Sequence, residues 1–194
     1  FSNPSPSFFQ PKTKFVHIDV DSSNLGSYLK TDIPILSDPK TALEEITNGL
    51  SELIDGEYKE SASLRTKQYS IDKSKATEDW KIRLSQKYEN DPISAERLMA
   101  DASSVIPTGS IIVNDAVTSG NALMNSFPFN KPRSLYGGRG GALGWGMGGA
   151  LGIQLANPDK KVIAFCGDGS ALMTIQGLLT ASKENIPITY IVCN

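Results

Sequence analysis

The feature that most constrains this chain is the run Val162-Ile163-Ala164-Phe165-Cys166, which passes directly into Gly167-Asp168-Gly169-Ser170. Five apolar residues without polar alternation make a strand buried on both faces, the pattern of a parallel sheet covered by helices. Ile111-Ile112-Val113 and Ile188-Thr189-Tyr190-Ile191-Val192-Cys193 have the same character. Helical segments fall between them: about Ser94 to Ser104, a short one from Thr118, Met147 to Ala156, and Thr174 to Glu184. The fold class expected is therefore α/β, an open parallel sheet with helices on both faces, preceded by the tail of a second α/β domain.

That second part is read from Lys14-Phe15-Val16-His17-Ile18-Asp19-Val20, which tends to a strand, and from Asp38-Pro39, a capping acid followed by a first-turn proline. Leu43, Ile46 and Leu50 lie on one side of the helix that follows. Between Asp55 and Asp91 stand 16 of the 40 charged residues, so this stretch reads as a surface connector with one helix, anchored by Trp80, Ile82 and Leu84. The expected domains are 1–54, the linker 55–91 and 92–194. The first eleven residues hold three prolines and read as loop, and the chain stops one residue after an apolar strand, so a piece of a longer protein is expected.

Composition excludes several classes. With 19 basic and 21 acidic residues there is no broad positive field, which argues against nucleic acid or an anionic membrane as partner. No run approaches a spanning helix, and Phe1-Ser2-Asn3-Pro4-Ser5-Pro6 is unlike a signal peptide, so the cytoplasm is expected. Cys166 and Cys193 sit in apolar runs and read as thiols of a reducing compartment.

In an open parallel sheet, ligands bind beyond the carboxyl ends of the strands. Three such places stand out. In Asn114-Asp115-Ala116-Val117-Thr118-Ser119 a hydroxyl pair opens a helix, as an anion site or as an ordinary cap. The block from Gly137 to Gly152 holds 9 of the 17 glycines, fitting close approach of a ligand or tight helix packing. Gly167-Asp168-Gly169-Ser170 places one carboxylate between glycines where a helix begins, as a structural turn or as a ligand set for magnesium bridging to phosphate. Gly169 and Ser170 could offer N–H and hydroxyl groups to that phosphate.

A rival lies inside the block, where Gly144-Trp145-Gly146-Met147-Gly148-Gly149 matches the dinucleotide pattern G-x-G-x-x-G and Asp168 stands 19 residues further on. Its context is poor, because Lys131-Pro132-Arg133-Ser134-Leu135-Tyr136-Gly137-Gly138-Arg139 before it does not compose a central strand. Trp145 and Met147 read as helix-to-sheet packing, and His17, the single histidine, as structural.

Gly167-Asp168-Gly169, followed after 24 residues by Asn194, resembles the cofactor motif of the thiamine diphosphate enzymes of the acetolactate synthase, pyruvate oxidase and benzoylformate decarboxylase group. Phe15 to Asp21 and Ile33 to Asp38 are similar to the close of that family's middle domain. The resemblance implies magnesium on Asp168, with Gly167, Gly169, Ser170, Thr118, Ser119 and Asn194 around the diphosphate. It implies further that Leu143 supports the cofactor rings and that the Gly141 carbonyl accepts a hydrogen bond from the aminopyrimidine. The activity implied is covalent catalysis on a 2-oxo acid with loss of carbon dioxide, as decarboxylase or carboligase. No catalytic residue is expected within these 194 residues. The family's glutamate would come from the pyrimidine-binding domain of a second subunit in a homodimer or homotetramer, so the piece alone should be inactive. FAD or another nucleotide in the middle domain stays undetermined. Met147-Gly148-Gly149 departs from the Leu-Pro-Ala of many members of that family, and Gly177 replaces a Glu common in its acetolactate synthases. A nicotinamide or flavin dinucleotide domain, and a homologue that kept the fold without the chemistry, remain as alternatives.

Overall fold

The computed structural model describes Phe9 and residues 12–194, so the proline-rich loop read at the start lies almost wholly outside the described residues. The chain divides into two units, Phe1–Tyr69 and Ser70–Asn194.

In the first unit β1 (Val16–Asp19) pairs in parallel with β2 (Ile33–Leu36). Pro34 cannot donate to a ladder, but it is tolerated in this two-stranded sheet, opposite His17. The helix α1 (Pro39–Leu53) begins as expected: Asp38 accepts hydrogen bonds from the N–H groups of Lys40 and Thr41, with proline in the first turn. Leu43, Ile46 and Leu50 remain exposed. His17 Nδ1 accepts from the Gly26 N–H at 3.3 Å, a structural role.

The helix α2 (Gly56–Lys87) crosses the boundary between the units and buries no residue fully. Its polar composition suits a solvated helix. Trp80 packs on the core of the second unit and Leu84, four residues on, is half-buried, whereas Ile82 faces solvent. Helical periodicity puts residues i and i+4 on one face and i+2 on the other, so Ile82 does not share in the expected anchor.

The second unit holds α3 (Ala95–Val105), β3 (Ile111–Asp115), α4 (Gly120–Ser126), β4 (Leu135–Gly137), α5 (Trp145–Ala156), β5 (Val162–Gly167), α6 (Asp168–Met173), α7 (Gly177–Lys183) and β6 (Ile188–Cys193). Its sheet runs β4-β3-β5-β6 with every pairing parallel. Side chains alternate along each strand into two cores. Ile111, Val113, Val162, Ala164 and Cys166 meet Met147, Ala150 and Ala171 of α5 and α6 on one face. Ile112, Ile163 and Phe165 meet Met99 and Ala102 of α3 and Ala122 and Leu123 of α4 on the other. The continuous apolar runs are thus explained by helices covering both faces. Cys166 and Cys193 belong to opposite faces and are both free thiols.

Phe165 is fully buried and meets the Phe127 ring edge-on at 5.8 Å. Phe165→Ala is expected to destabilise the second unit by about 3–5 kcal/mol, read from urea unfolding. A loss under about 1 kcal/mol would contradict this packing.

β4 lies in the stretch read as unfit for a central strand, and it stands at the sheet edge. The helix expected from Thr174 to Glu184 is α7, which starts only at Gly177, and the helix that begins at Asp168 is the separate short α6. The break at Thr174 is fixed because its hydroxyl donates to the Gly144 carbonyl, while its own carbonyl accepts from the Gly177 N–H.

Candidate functional site

Strand register brings the three sequence motifs to one edge. Asn114 stands opposite both Gly137 and Phe165, Asp115 opposite Cys166, and Gly167 opposite Cys193. The segments that follow, 116–119, 138–144, 168–170 and Asn194, therefore all leave the carboxyl end of the same sheet, where an open α/β fold binds ligands.

Asp168 and Gly169 are exposed there, in the first turn of α6. Neither Gly167 nor Gly169 has a positive φ, and a Cβ added to either would meet nothing within 4 Å. The protein itself therefore does not demand glycine at these positions. Glycine is explained if a ligand approaches the backbone closely. Thr118, Gly141, Leu143 and Asn194 are also exposed, with Leu143 at 47% and Gly141 at φ 73°.

Ser119 and Ser170, by contrast, are buried. Burial raises the pKa of the Cys193 thiol, and the Ser119 hydroxyl beside it acts in the opposite direction. The Ser170 hydroxyl donates to Asp115 and accepts from the Gly144 N–H at 2.9 Å. It is thus engaged inside the protein, and the group Ser170 has left for a phosphate is its backbone.

The residue that sequence reasoning overlooked is Asp115. It is 5% exposed, and its Oδ2 accepts from the N–H groups of Gly144 at 3.1 Å and Gly146 at 2.9 Å as well as from Ser170. The available signal was an acid at the end of a buried strand, where a carboxylate needs dedicated donors. Nearby, burial first and the Asp115 charge second push the Cys166 thiol up to about 11, so it is protonated and unreactive at neutral pH. Tyr190, pushed up to about 12 chiefly by burial, keeps its proton and donates it to the Met147 carbonyl at 2.8 Å.

This geometry accounts for the glycines of the apparent dinucleotide fingerprint. A Cβ on Gly146 would stand 2.5 Å from the Asp115 Cβ, and one on Gly149 would stand 2.4 Å from the Trp145 ring. Gly144 adopts φ 82° and lies against Met173. The first N–H groups of α5, which a pyrophosphate would need, are already occupied by Asp115. Gly146→Ala should cost about 1–3 kcal/mol even without ligand, through overpacking against Asp115. A thermal melt unchanged from the wild type would contradict that account.

A metal would fit at Asp168. Among the described residues no three histidine, cysteine or acidic side chains gather into a metal site. The single exposed carboxylate suits magnesium, which accepts one protein carboxylate and takes its remaining oxygens from phosphate, carbonyl and water.

Residues 115–194 match the family model of the thiamine pyrophosphate enzymes' C-terminal TPP binding domain. Over these residues the chain is similar to the thiamine diphosphate enzymes. It is 29% identical over 186 residues to a probable acetolactate synthase large subunit of Methanococcus aeolicus, a match that covers 93% of this chain and 31% of that protein. With the acetolactate synthase isozyme 1 large subunit of Escherichia coli K12 the identity is 28%, over 96% of this chain and 31% of the relative. The chain thus spans about a third of the length of these curated relatives. Among solved structures it resembles a thiamine diphosphate-dependent 4-hydroxybenzoylformate decarboxylase from Rhodococcus jostii RHA1, with TM-score 0.51 and 33% identity over 53% of this chain and 19% of that one. Among the described residues no helix is long and apolar enough to cross a membrane.

Proposed function

We propose that this chain supplies the diphosphate- and metal-holding part of a thiamine diphosphate- and magnesium-dependent 2-oxo acid decarboxylase or carboligase, acetolactate synthase-like or benzoylformate decarboxylase-like. The observation that carries this reading is the pair Gly167 and Gly169, bare of side chains on ordinary backbone with open space around them, flanking the exposed carboxylate of Asp168. The matched TPP binding domain and the acetolactate synthase relatives support it.

In this reading Asp168 gives one oxygen to magnesium, and the N–H groups of Gly169 and Ser170 with the Thr118 hydroxyl receive the diphosphate. Asn194 and Gly167 border the same place, and Ser119 contributes by shaping it from below. Leu143 presents an apolar side chain to the cofactor rings, and the Gly141 carbonyl accepts a hydrogen bond from the aminopyrimidine. When bound, thiamine diphosphate supplies the carbon nucleophile and the electron sink that loss of carbon dioxide from a 2-oxo acid requires. The chain's own contribution is placement and charge compensation. The glutamate that acts on the aminopyrimidine belongs, on this proposal, to the pyrimidine-binding domain of a second subunit, so residues 1–194 alone would not turn over. The domains would be 1–54 of a middle domain, a linker over 55–91, and 92–194 of the diphosphate-binding domain. Two unpaired thiols on opposite sheet faces favour a reducing compartment such as the cytoplasm.

Native mass spectrometry of the protein from its source tests this reading. The expected spectrum is an even-numbered assembly carrying one thiamine diphosphate and magnesium per chain. An assembly with no cofactor that also releases no carbon dioxide from pyruvate or benzoylformate would point to a non-catalytic homologue. Retained NAD or FAD without thiamine diphosphate would overturn the reading in favour of the dinucleotide domain.

A further inference from the structure

We propose that Asp115 is a positioning residue for the cofactor site, one carboxylate that fixes the glycine loop and the metal-binding turn relative to each other. The proposal rests on the thiamine diphosphate reading above.

Asp115 closes β3 on the face that packs against α5, since it continues the alternation of Ile111 and Val113. Its Oδ2 gathers donors from two segments far away in sequence, Gly144 and Gly146 at the start of α5 and Ser170 in α6. Ser170 closes the triangle by accepting from the Gly144 N–H. Gly144 comes three residues after Gly141 and one after Leu143, and Ser170 comes two after Asp168. A displacement of the carboxylate would therefore move both groups of candidate cofactor contacts.

The loop has need of such a clamp. Gly140, Gly141 and Gly144 all have positive φ, a conformation open to glycine and a source of backbone freedom. The place of Gly141 and Leu143 then depends on what holds the loop's end at Gly144. Space for the clamp is built in, because only glycine at position 146 lets α5 approach the Asp115 side chain. Compensation for the buried charge comes from the N-terminus of the twelve-residue α5. These bonds hold the carboxylate within the protein, which makes it a support for the site and not a metal ligand.

The test compares wild type, Asp115→Asn and Ser170→Ala in the natural full-length protein, by calorimetric titration with magnesium thiamine diphosphate and by amide hydrogen exchange over residues 138–147. Asparagine keeps the size and one acceptor oxygen but removes the charge. Losing charge-assisted bonds should weaken cofactor binding by about tenfold or more and speed exchange at Gly144 and Gly146 by a similar factor. Ser170→Ala leaves Asp115 on Gly144 and Gly146 but cuts its tie to α6. It should therefore raise the magnesium concentration needed for half-saturation with less change in loop exchange. A purely structural role would lower the melting temperature of Asp115→Asn while the folded protein kept wild-type affinity and exchange, and that outcome would overturn the inference alone. A wild-type protein that binds no thiamine diphosphate would overturn the functional reading, and with it the cofactor role of Asp115. Should Asp115→Asn fail to fold, Ser170→Ala with unchanged magnesium dependence would likewise overturn the inference.

Discussion

Asp168→Ala is expected to lower affinity for magnesium thiamine diphosphate by about a hundredfold or more while leaving the protein without cofactor nearly as stable as before. The large first effect follows because Asp168 is an isolated exposed carboxylate at this edge and no cluster of three potential ligands exists among the described residues to replace it. The small second effect follows from its exposure. Its stabilising contribution is that of an acid in the first turn of a short helix, about 0.3–1 kcal/mol. Thermal melts read both at once. Ligand at a hundred times its dissociation constant stabilises a folded protein by about 2.7 kcal/mol, so the wild type should melt higher with magnesium thiamine diphosphate and the variant should not. An equal upward shift in both proteins would remove Asp168 from the site.

Gly169→Ala separates ligand space from folding space. The residue lies inside α6 at ordinary φ, with nothing within 4 Å of an added Cβ, so the methyl group should leave stability unchanged or raise it by up to about 1 kcal/mol. Cofactor affinity should nevertheless fall by about tenfold or more, because a methyl group placed where a ligand must approach costs about 1–3 kcal/mol. Gly146→Ala should behave in the opposite sense, losing stability in the absence of any ligand. A Gly169→Ala protein that binds the cofactor as well as the wild type would mean that the bare backbone at this turn serves nothing the ligand needs.

Much of the second unit was legible because burial on both faces leaves a plain mark. Val162 to Cys166 contains no polar residue, and only a parallel sheet under two helical layers makes such a run reasonable. Where the energetic reason is local, as with the Asp38 cap, the boundary follows directly. β4 was hidden because two half-buried residues and an exposed glycine, preceded by Pro132 and followed by glycines, carry no periodic signal, and their strand is held by its partner β3. The start of α6 at Asp168 was legible from an acid between glycines at the end of a buried strand, and the helix is held by Ala171 in the core.

The site divides in the same way. Asp168 and its glycines could be read because the chemistry sits in consecutive residues. The inward turn of Ser170 could not be, since its partner Asp115 lies 55 residues away and the choice between phosphate and carboxylate is made by tertiary packing. The dinucleotide fingerprint misleads for a related reason. Glycine spacing shows that something comes close to the backbone, and here the close neighbours of Gly146 and Gly149 are Asp115 and Trp145.

The most direct test of the central claim is a calorimetric titration of the protein from its source, stripped of ligands, with thiamine diphosphate in the presence of magnesium and again in excess EDTA. The account predicts saturable binding of one cofactor per chain with magnesium, and its loss in EDTA. No binding in either buffer, or tight NAD binding indifferent to magnesium, would contradict it.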